Sequence, residues 1–335
     1  MTKDLFGTTK DGLEVYRFCL TSKNGMEAHV LNYGAIIQKL LIPQESGKPI
    51  DCVLGFNELG QYEAENPFFG CVVGRNANRI AKSEIFIDGE KIQLTSNEGE
   101  AQLHGGLEGF GKKKWDFEVE NEKLVLTYVS PDGEEGFPGN LQVKLSFEWQ
   151  EDTLVFNHQA VTDKKTVVNL TRHEYFNLSE ESDILGHQLM INADEYLPKD
   201  EDGIPTGEIK PVEKTVMDFR KSVVLGDKLA HIEDGFDHNY VLNRRNPEDP
   251  AAVLISPQAN IILSLFCTQP GLQFFSGADI GEWRGKYGTI AAKAPALCLE
   301  AQHFPDTPHH ADFPSTILAP GEIYEQEIKY QFEIQ

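Results

Sequence analysis

The strongest constraint on what this chain can fold into is a period of two. In Leu141-Gln-Val-Lys-Leu-Ser-Phe-Glu-Trp149, the residues Leu141, Val143, Leu145, Phe147 and Trp149 fall on one side and polar residues on the other. Successive side chains of a strand point to opposite faces, so this is the pattern of a half-buried antiparallel strand. Tyr324, Ile328, Tyr330, Phe332 and Ile334 alternate with Glu and Lys in the same manner. Turn chemistry sits where hairpins need it: Asp88-Gly89 lies between 85–87 and 91–94, and Ser46-Gly-Lys-Pro49 between 36–42 and 50–54. Further strands are expected at 124–129, 154–161, 166–170 and 261–267. Helical periodicity is confined to 222–232, enough for a few turns. Many short strands without βαβ alternation predict an all-β protein, a large antiparallel β-sandwich or barrel.

With 335 residues the chain could form one large domain or two ordinary ones. The only candidate boundary is a loop at 193–214 rich in Asp, Glu, Pro and Gly. It is flanked by strand-like segments, so a single domain over residues 1–335 is expected. The formal charge of −23 is spread along the chain, which repels phosphate backbones and anionic lipid, and no Lys/Arg run offsets it. Nucleic acid and membranes are therefore excluded as partners. No apolar run reaches the roughly 18 residues of a membrane span, and Met1-Thr-Lys-Asp-Leu-Phe-Gly has no signal character. The five cysteines, Cys19, Cys52, Cys71, Cys267 and Cys298, are odd in number and never spaced Cys-x-x-Cys, as expected of free thiols in a reducing cytoplasm.

Polar residues gather where strand formation does not need them: Gly70-Cys-Val-Val-Gly-Arg-Asn-Ala-Asn-Arg79, Leu103-His-Gly-Gly106, Thr171-Arg-His-Glu-Tyr-Phe-Asn177, Gly235-Phe-Asp-His-Asn239 and Leu299-Glu-Ala-Gln-His-Phe-Pro-Asp306. At strand ends and loops such residues can converge on a cleft. Taken singly, His104 and His173 also read as hydrogen-bonded structural histidines, Asp237 as a turn residue and Arg79 as half of a surface ion pair. Glu300 is harder to explain that way, because it follows the apolar run Ala296-Leu-Cys-Leu299 and a carboxylate in a buried strand is costly without a partner or a task. A zinc reading of Glu300, His303, His309 and His310 fails on spacing, since Phe304-Pro-Asp-Thr-Pro308 cannot present a helical ligand pair. Nucleotide-binding glycine motifs are absent, so no cofactor and no metal are expected.

Read together, Gly74-Arg-Asn-Ala-Asn-Arg-Ile80, Leu103-His-Gly-Gly106, Ser130-Pro-Asp-Gly-Glu-Glu-Gly-Phe-Pro-Gly139, Tyr175-Phe-Asn-Leu178, Glu195-Tyr-Leu-Pro198, Asp237-His238, Gln273-Phe274 and Leu299-Glu300 with Phe304-Pro-Asp306 closely resemble the aldose 1-epimerase family, in the family's order over nearly the whole chain. The resemblance implies a single antiparallel β-supersandwich with an open sugar cleft. It implies action on free aldohexoses, D-galactose and usually D-glucose, without metal or cofactor. By motif position it makes Glu300 the general base, His173 the general acid and His104 a second imidazole near the anomeric centre. Arg79, Asn78, Asp237 and Gln273 become the residues that bind or position sugar hydroxyls.

That chemistry suits the residue types. Mutarotation removes a proton from the anomeric hydroxyl while giving one to the ring oxygen, so a carboxylate and an imidazolium flanking C1 suffice. Near neutral pH this calls for an ionised Glu300 and a protonated His173, hence a pH dependence in the histidine range. Arg172 and Glu174 depart from the family pattern around His173. A cleft-facing Arg172 would lower the histidine pKa and favour an anionic substrate, whereas strand alternation would turn it away. The rival readings are a hexose-6-phosphate epimerase of the same fold and a sugar-binding protein without catalysis. Monomer and homodimer both remain open.

Overall fold

The computed structural model describes residues 1–243, 246, 248–278 and 280–335. Its largest element is a nine-stranded sheet ordered Asp116–Glu120, Lys123–Ser130, Leu141–Gln150, Thr153–Thr162, Tyr324–Ile334, Ile261–Cys267, Ala252–Ser256, Gln188–Ile191 and Val223–Val224. Every pairing in it is antiparallel. The C-terminal strand lies in the middle of this order, joining two halves built from distant parts of the chain. As the period-two pattern requires, Leu141, Val143, Leu145 and Phe147 are buried while Gln142 and Lys144 are exposed. Trp149, near the strand end, is only half-buried and donates its indole N–H to the Leu20 carbonyl at 3.0 Å.

A second sheet of five strands holds Thr2–Thr8, Glu14–Thr21, Glu27–Leu31, Ile37–Ile42 and Ile50–Asp51. A third sheet, which carries most of the site, is ordered Lys210–Pro211, Glu195–Tyr196, Asp237–Val241, Gly271–Phe275 and Cys298–Gln302. One continuous cluster of buried apolar side chains draws on all three sheets, among them Phe18, Leu145, Phe274, Leu299 and Tyr330. The expected hairpin at Asp88-Gly89 is present, pairing Glu84–Ile87 with Glu90–Gln93. Both turn residues have positive φ, 53° and 84°, which two-residue turns of this hand demand.

Three expectations need adjustment. The strand expected over 166–170 is confined to Thr166–Val167, because Asn169 pairs instead with residues 75–77, donating to the Arg75 carbonyl and accepting from the Ala77 N–H. The helical stretch 222–232 splits into a strand, Val223–Val224, and a short helix, Leu225–Leu229, since β-branched valines gain more by completing the sheet edge than by starting a helix. The acidic loop 193–214 contributes two short strands to the third sheet, too short to show a period.

Candidate active site

Alternation in the third sheet separates core from chemistry. Leu272, Phe274, Leu299 and Ala301 enter the apolar core. The intervening positions carry Gln273 and Glu300, which are direct cross-strand partners, so both project from the opposite face. Asn239 pairs with Gln273 in register, which puts Asp237, two residues earlier, on that same face. Three strands thus supply one polar wall, and none of its members is adjacent in sequence to those of another strand.

The imidazoles arrive from elsewhere. Strand Thr171–Arg172 pairs with Val72–Val73, and the ladder continues through His173, whose N–H donates to the Cys71 carbonyl at 3.0 Å and whose carbonyl accepts from Gly70 at 2.9 Å. His104 follows the strand Gln102–Leu103, which pairs with Arg79–Ile80. It sits in a turn with φ 53°. Gly105 is indispensable there: with φ +86°, any Cβ it carried would fall 1.9 Å from the Gly74 carbonyl oxygen.

These elements bring His104, His173 and Glu300 together, with one ligand-type atom of each within 4.8 Å of the others. His173 Nε2 and Glu300 Oε1 are 3.8 Å apart, and the two residues are only 4% and 2% exposed. The His173 ring stacks on Phe68 at 5.7 Å and on Tyr175 at 5.1 Å, and its Nδ1 lies 3.4 Å from Cys298 Sγ. Asp237 accepts from Gln273 Nε2 at 2.6 Å and from Lys199 Nζ at 3.0 Å. Arg79 reaches Asp237 at 3.7 Å and makes a two-pronged pair with Glu98 at 2.6 and 2.8 Å. Asn78 is buried and accepts from the Arg79 N–H at 2.8 Å through its side-chain oxygen, so it shapes the Arg79 backbone. A cavity of about 480 Å³ opens beside His104 and Phe68, and another of about 1100 Å³ beside Arg79, Lys199 and His238. Glu98 lines both.

Burial dominates the electrostatics. It pushes the Glu300 carboxyl well above its ordinary value, with Asp237 and Glu174 adding repulsion and Arg79 opposing. It also lowers His173 to about 4, and His104 well below its usual range, helped by His173 and Arg79. Desolvation disfavours the charged form of each group. Burial thus works against both the ionised Glu300 and the protonated His173 that the sequence leads one to expect. For Asp237 burial works against ionisation, but Lys199, Arg79 and Gln273 outweigh it and hold the carboxyl below its ordinary value.

Arg172 turns away from the cleft. Its guanidinium donates to Glu174 at 2.8 Å and to the Ala35 and Gly70 carbonyls, and lies over the rings of Phe147 and Phe156. Glu174 also accepts from Tyr330 at 2.7 Å. Arg75 is likewise buried, donating to Ser130 and to the carbonyls of Pro131, Pro138 and Gly139. Four side chains of the site escape the sequence reading: Lys199, Glu98, Phe68 and Cys298. Cys298 lies two residues before Glu300 and so on its face of the strand; Lys199 directly follows Glu195-Tyr-Leu-Pro198. Nothing in sequence marks Phe68 or Glu98.

A model of the aldose 1-epimerase family matches residues 16–331. The chain belongs to the aldose 1-epimerase family. The galactose mutarotase of Sus scrofa is 39% identical over 100% of this chain and 99% of its own length, and the aldose 1-epimerase of Escherichia coli is 36% identical over 96% of both. Among solved structures, the aldose epimerase homologue from C. elegans superposes with a TM-score of 0.90 at 30% identity, covering 95% of this chain and 99% of that one. The galactose 1-epimerase of Lactobacillus acidophilus gives 0.87 at 30% identity, covering 99% and 98%. As a family member the protein is an isomerase that interconverts aldose anomers, and its all-β sandwich is the family's fold. Among the described residues no helix is long and apolar enough to cross a membrane.

Proposed function

We propose that the protein is a cytoplasmic galactose mutarotase acting on free, neutral aldohexoses, with Glu300 as base and His173 as acid, in a single domain that works as monomer or homodimer without metal or cofactor. The observation that carries this reading is the 3.8 Å approach of His173 Nε2 to Glu300 Oε1, at the foot of a wall of hydroxyl-binding groups. Cys19, Cys52, Cys71 and Cys298 form no disulfide, which fits a reducing compartment.

The pair needs one proton between its two members. With that proton on His173, Glu300 takes the anomeric hydroxyl proton, the C1–O5 bond breaks and His173 Nε2 protonates O5. Glu300 is then a carboxylic acid and His173 neutral, the distribution favoured by burial, now facing the open-chain aldehyde. Rotation about C1–C2 presents the other carbonyl face. His173 then recovers the proton from O5 as it closes on C1, and Glu300 returns its own to O1. The proton count is unchanged throughout, so the cycle needs only redistribution inside a dry site. Asp237, Gln273, Arg79 and the His104 ring would hold the hydroxyls during the rotation, with Asn78 setting the backbone that presents Arg79.

A neutral substrate is favoured over a phosphorylated one because Arg79 is committed to Glu98 and Asp237, while Arg75 and Arg172 are spent in the core. Polarimetry of fresh α-D-galactose, α-D-glucose and α-D-glucose 6-phosphate, with EDTA present, tests this. The neutral sugars should be accelerated and the phosphate at least tenfold less so. Preference for the phosphate, or loss of activity on chelation, would overturn it.

A further inference from the structure

The two imidazoles of the site are held by different kinds of partner. His104 Nδ1 lies 3.2 Å from the backbone N–H of Asn78. A backbone N–H can only donate, so this nitrogen must present its lone pair, and the ring proton of neutral His104 resides on Nε2. Charging His104 would leave two N–H groups facing each other. Its strongly depressed basicity, caused first by burial and then by His173 and Arg79, agrees with that.

His173 is arranged the other way. Its Nε2 faces Glu300 at 3.8 Å, while Nδ1 contacts the Cys298 sulfur at 3.4 Å. To give the ring-oxygen proton and take it back, Nε2 must be the bare nitrogen of the neutral ring, so that ring carries its hydrogen on Nδ1. When the shared proton is on His173, both nitrogens carry hydrogen. In either state the Nδ1 hydrogen stays and is received by sulfur, a weak acceptor that neither removes it nor competes for it. Cys298 is fully buried on the strand that carries Glu300, at the edge of the third sheet, with its thiol also within reach of Tyr175.

We propose that the fold locks the two active-site histidines in opposite tautomers, His104 as Nε2–H and His173 as Nδ1–H, with the Cys298 sulfur as the positioning residue for His173. The proposal rests on the acid/base reading given above and divides the labour within it. His104 is a permanently neutral donor to a sugar oxygen and exchanges no proton, whereas His173 Nε2 alternates between donor and acceptor as the ring opens and closes. Cys298 keeps the exchangeable site on the nitrogen that faces the sugar.

The test is nitrogen-15 NMR of histidine-labelled full-length protein at neutral pH, which reads directly which ring nitrogen carries hydrogen. Signals are assigned by their loss in His104→Gln and His173→Gln. The expected result is a protonated Nε2 for His104 and a protonated Nδ1 for neutral His173. Cys298→Ala should mix the His173 tautomers and lower kcat about tenfold with KM little changed, the worth of one hydrogen bond. Cys298→Ser, which keeps an acceptor, should restore both. His104→Gln, whose amide N–H stands in for Nε2–H, should keep more activity than His104→Ala. The same tautomer on both rings, or a folded Cys298→Ala protein with unchanged signals and kcat, overturns the proposal. If Cys298→Ala does not fold, the wild-type spectrum still decides. An inactive wild type with the stated tautomers would sink the mutarotase reading alone, and full activity with other tautomers would sink this inference alone.

Discussion

Glu300 was the most legible residue of the site, because a carboxylate at the end of an apolar run is costly wherever it folds, and it proves 2% exposed. What sequence could not convey is the depth of its surroundings, and that depth changes the expected pH behaviour. With ordinary values, near 4.3 for Glu and 6.5 for His, the one-proton form of the pair would fade above about pH 6.5. With His173 lowered to about 4 and Glu300 raised, a second proton arrives only as pH falls through about 4, and the shared one leaves only above the raised Glu300 value. We therefore predict no half-loss of kcat/KM through the ordinary histidine range near pH 6.5, and a fall on the acid side as pH approaches about 4. A half-loss across pH 6.5 would show that the imidazole titrates at its ordinary value. Asp237 makes a second case. Asp237→Asn removes the charge opposing Arg79 and Lys199, and hydrogen bonds to charged groups are worth about 1.5–3 kcal/mol. Both KM and kcat should suffer, lowering kcat/KM roughly 10- to 100-fold; an unchanged KM would remove Asp237 from sugar binding.

At the scale of elements, the long strands were legible and the short ones were not. Leu141–Gln150 and Tyr324–Ile334 each run long enough for alternation to emerge, whereas Glu195–Tyr196 and Lys210–Pro211 are two residues each. The departure around His173 also resolves at this scale. On alternating positions, Arg172 and Glu174 point into the core and His173 into the site, and the buried pair anchors the strand beneath the acid. Removing one member of a buried ion pair leaves an uncompensated charge and costs about 3–5 kcal/mol. Glu174→Gln should thus lose about that much in urea unfolding at pH 7. A loss under about 1 kcal/mol would show that the pair does not hold this strand.

Across the whole molecule, burial of neutral histidines ties stability to pH. His158 is lowered to about 3 and His173, His187 and His238 to about 4, all chiefly by burial, and His104 is held well below its usual range by the same cause. In each the folded value lies below the unfolded one, so between about pH 6.5 and 4 the unfolded chain binds more protons and stability falls as pH falls. Glu300 and Glu174, raised by burial, and His309, raised by Asp306, oppose this in smaller number. The Tm should therefore drop on going from pH 7 to 5 at constant ionic strength, and a Tm that rises would contradict the buried-neutral assignment. The same burial makes the acid/base pair depend on the complete fold, since His104, His173 and Glu300 come from three separate parts of the chain. The most direct measurement is polarimetry of fresh α-D-galactose with wild type, Glu300→Gln and His173→Asn, each shown to be folded. The account predicts acceleration by wild type and losses of about 10²- to 10⁴-fold in each variant; a folded variant turning over at the wild-type rate would contradict it.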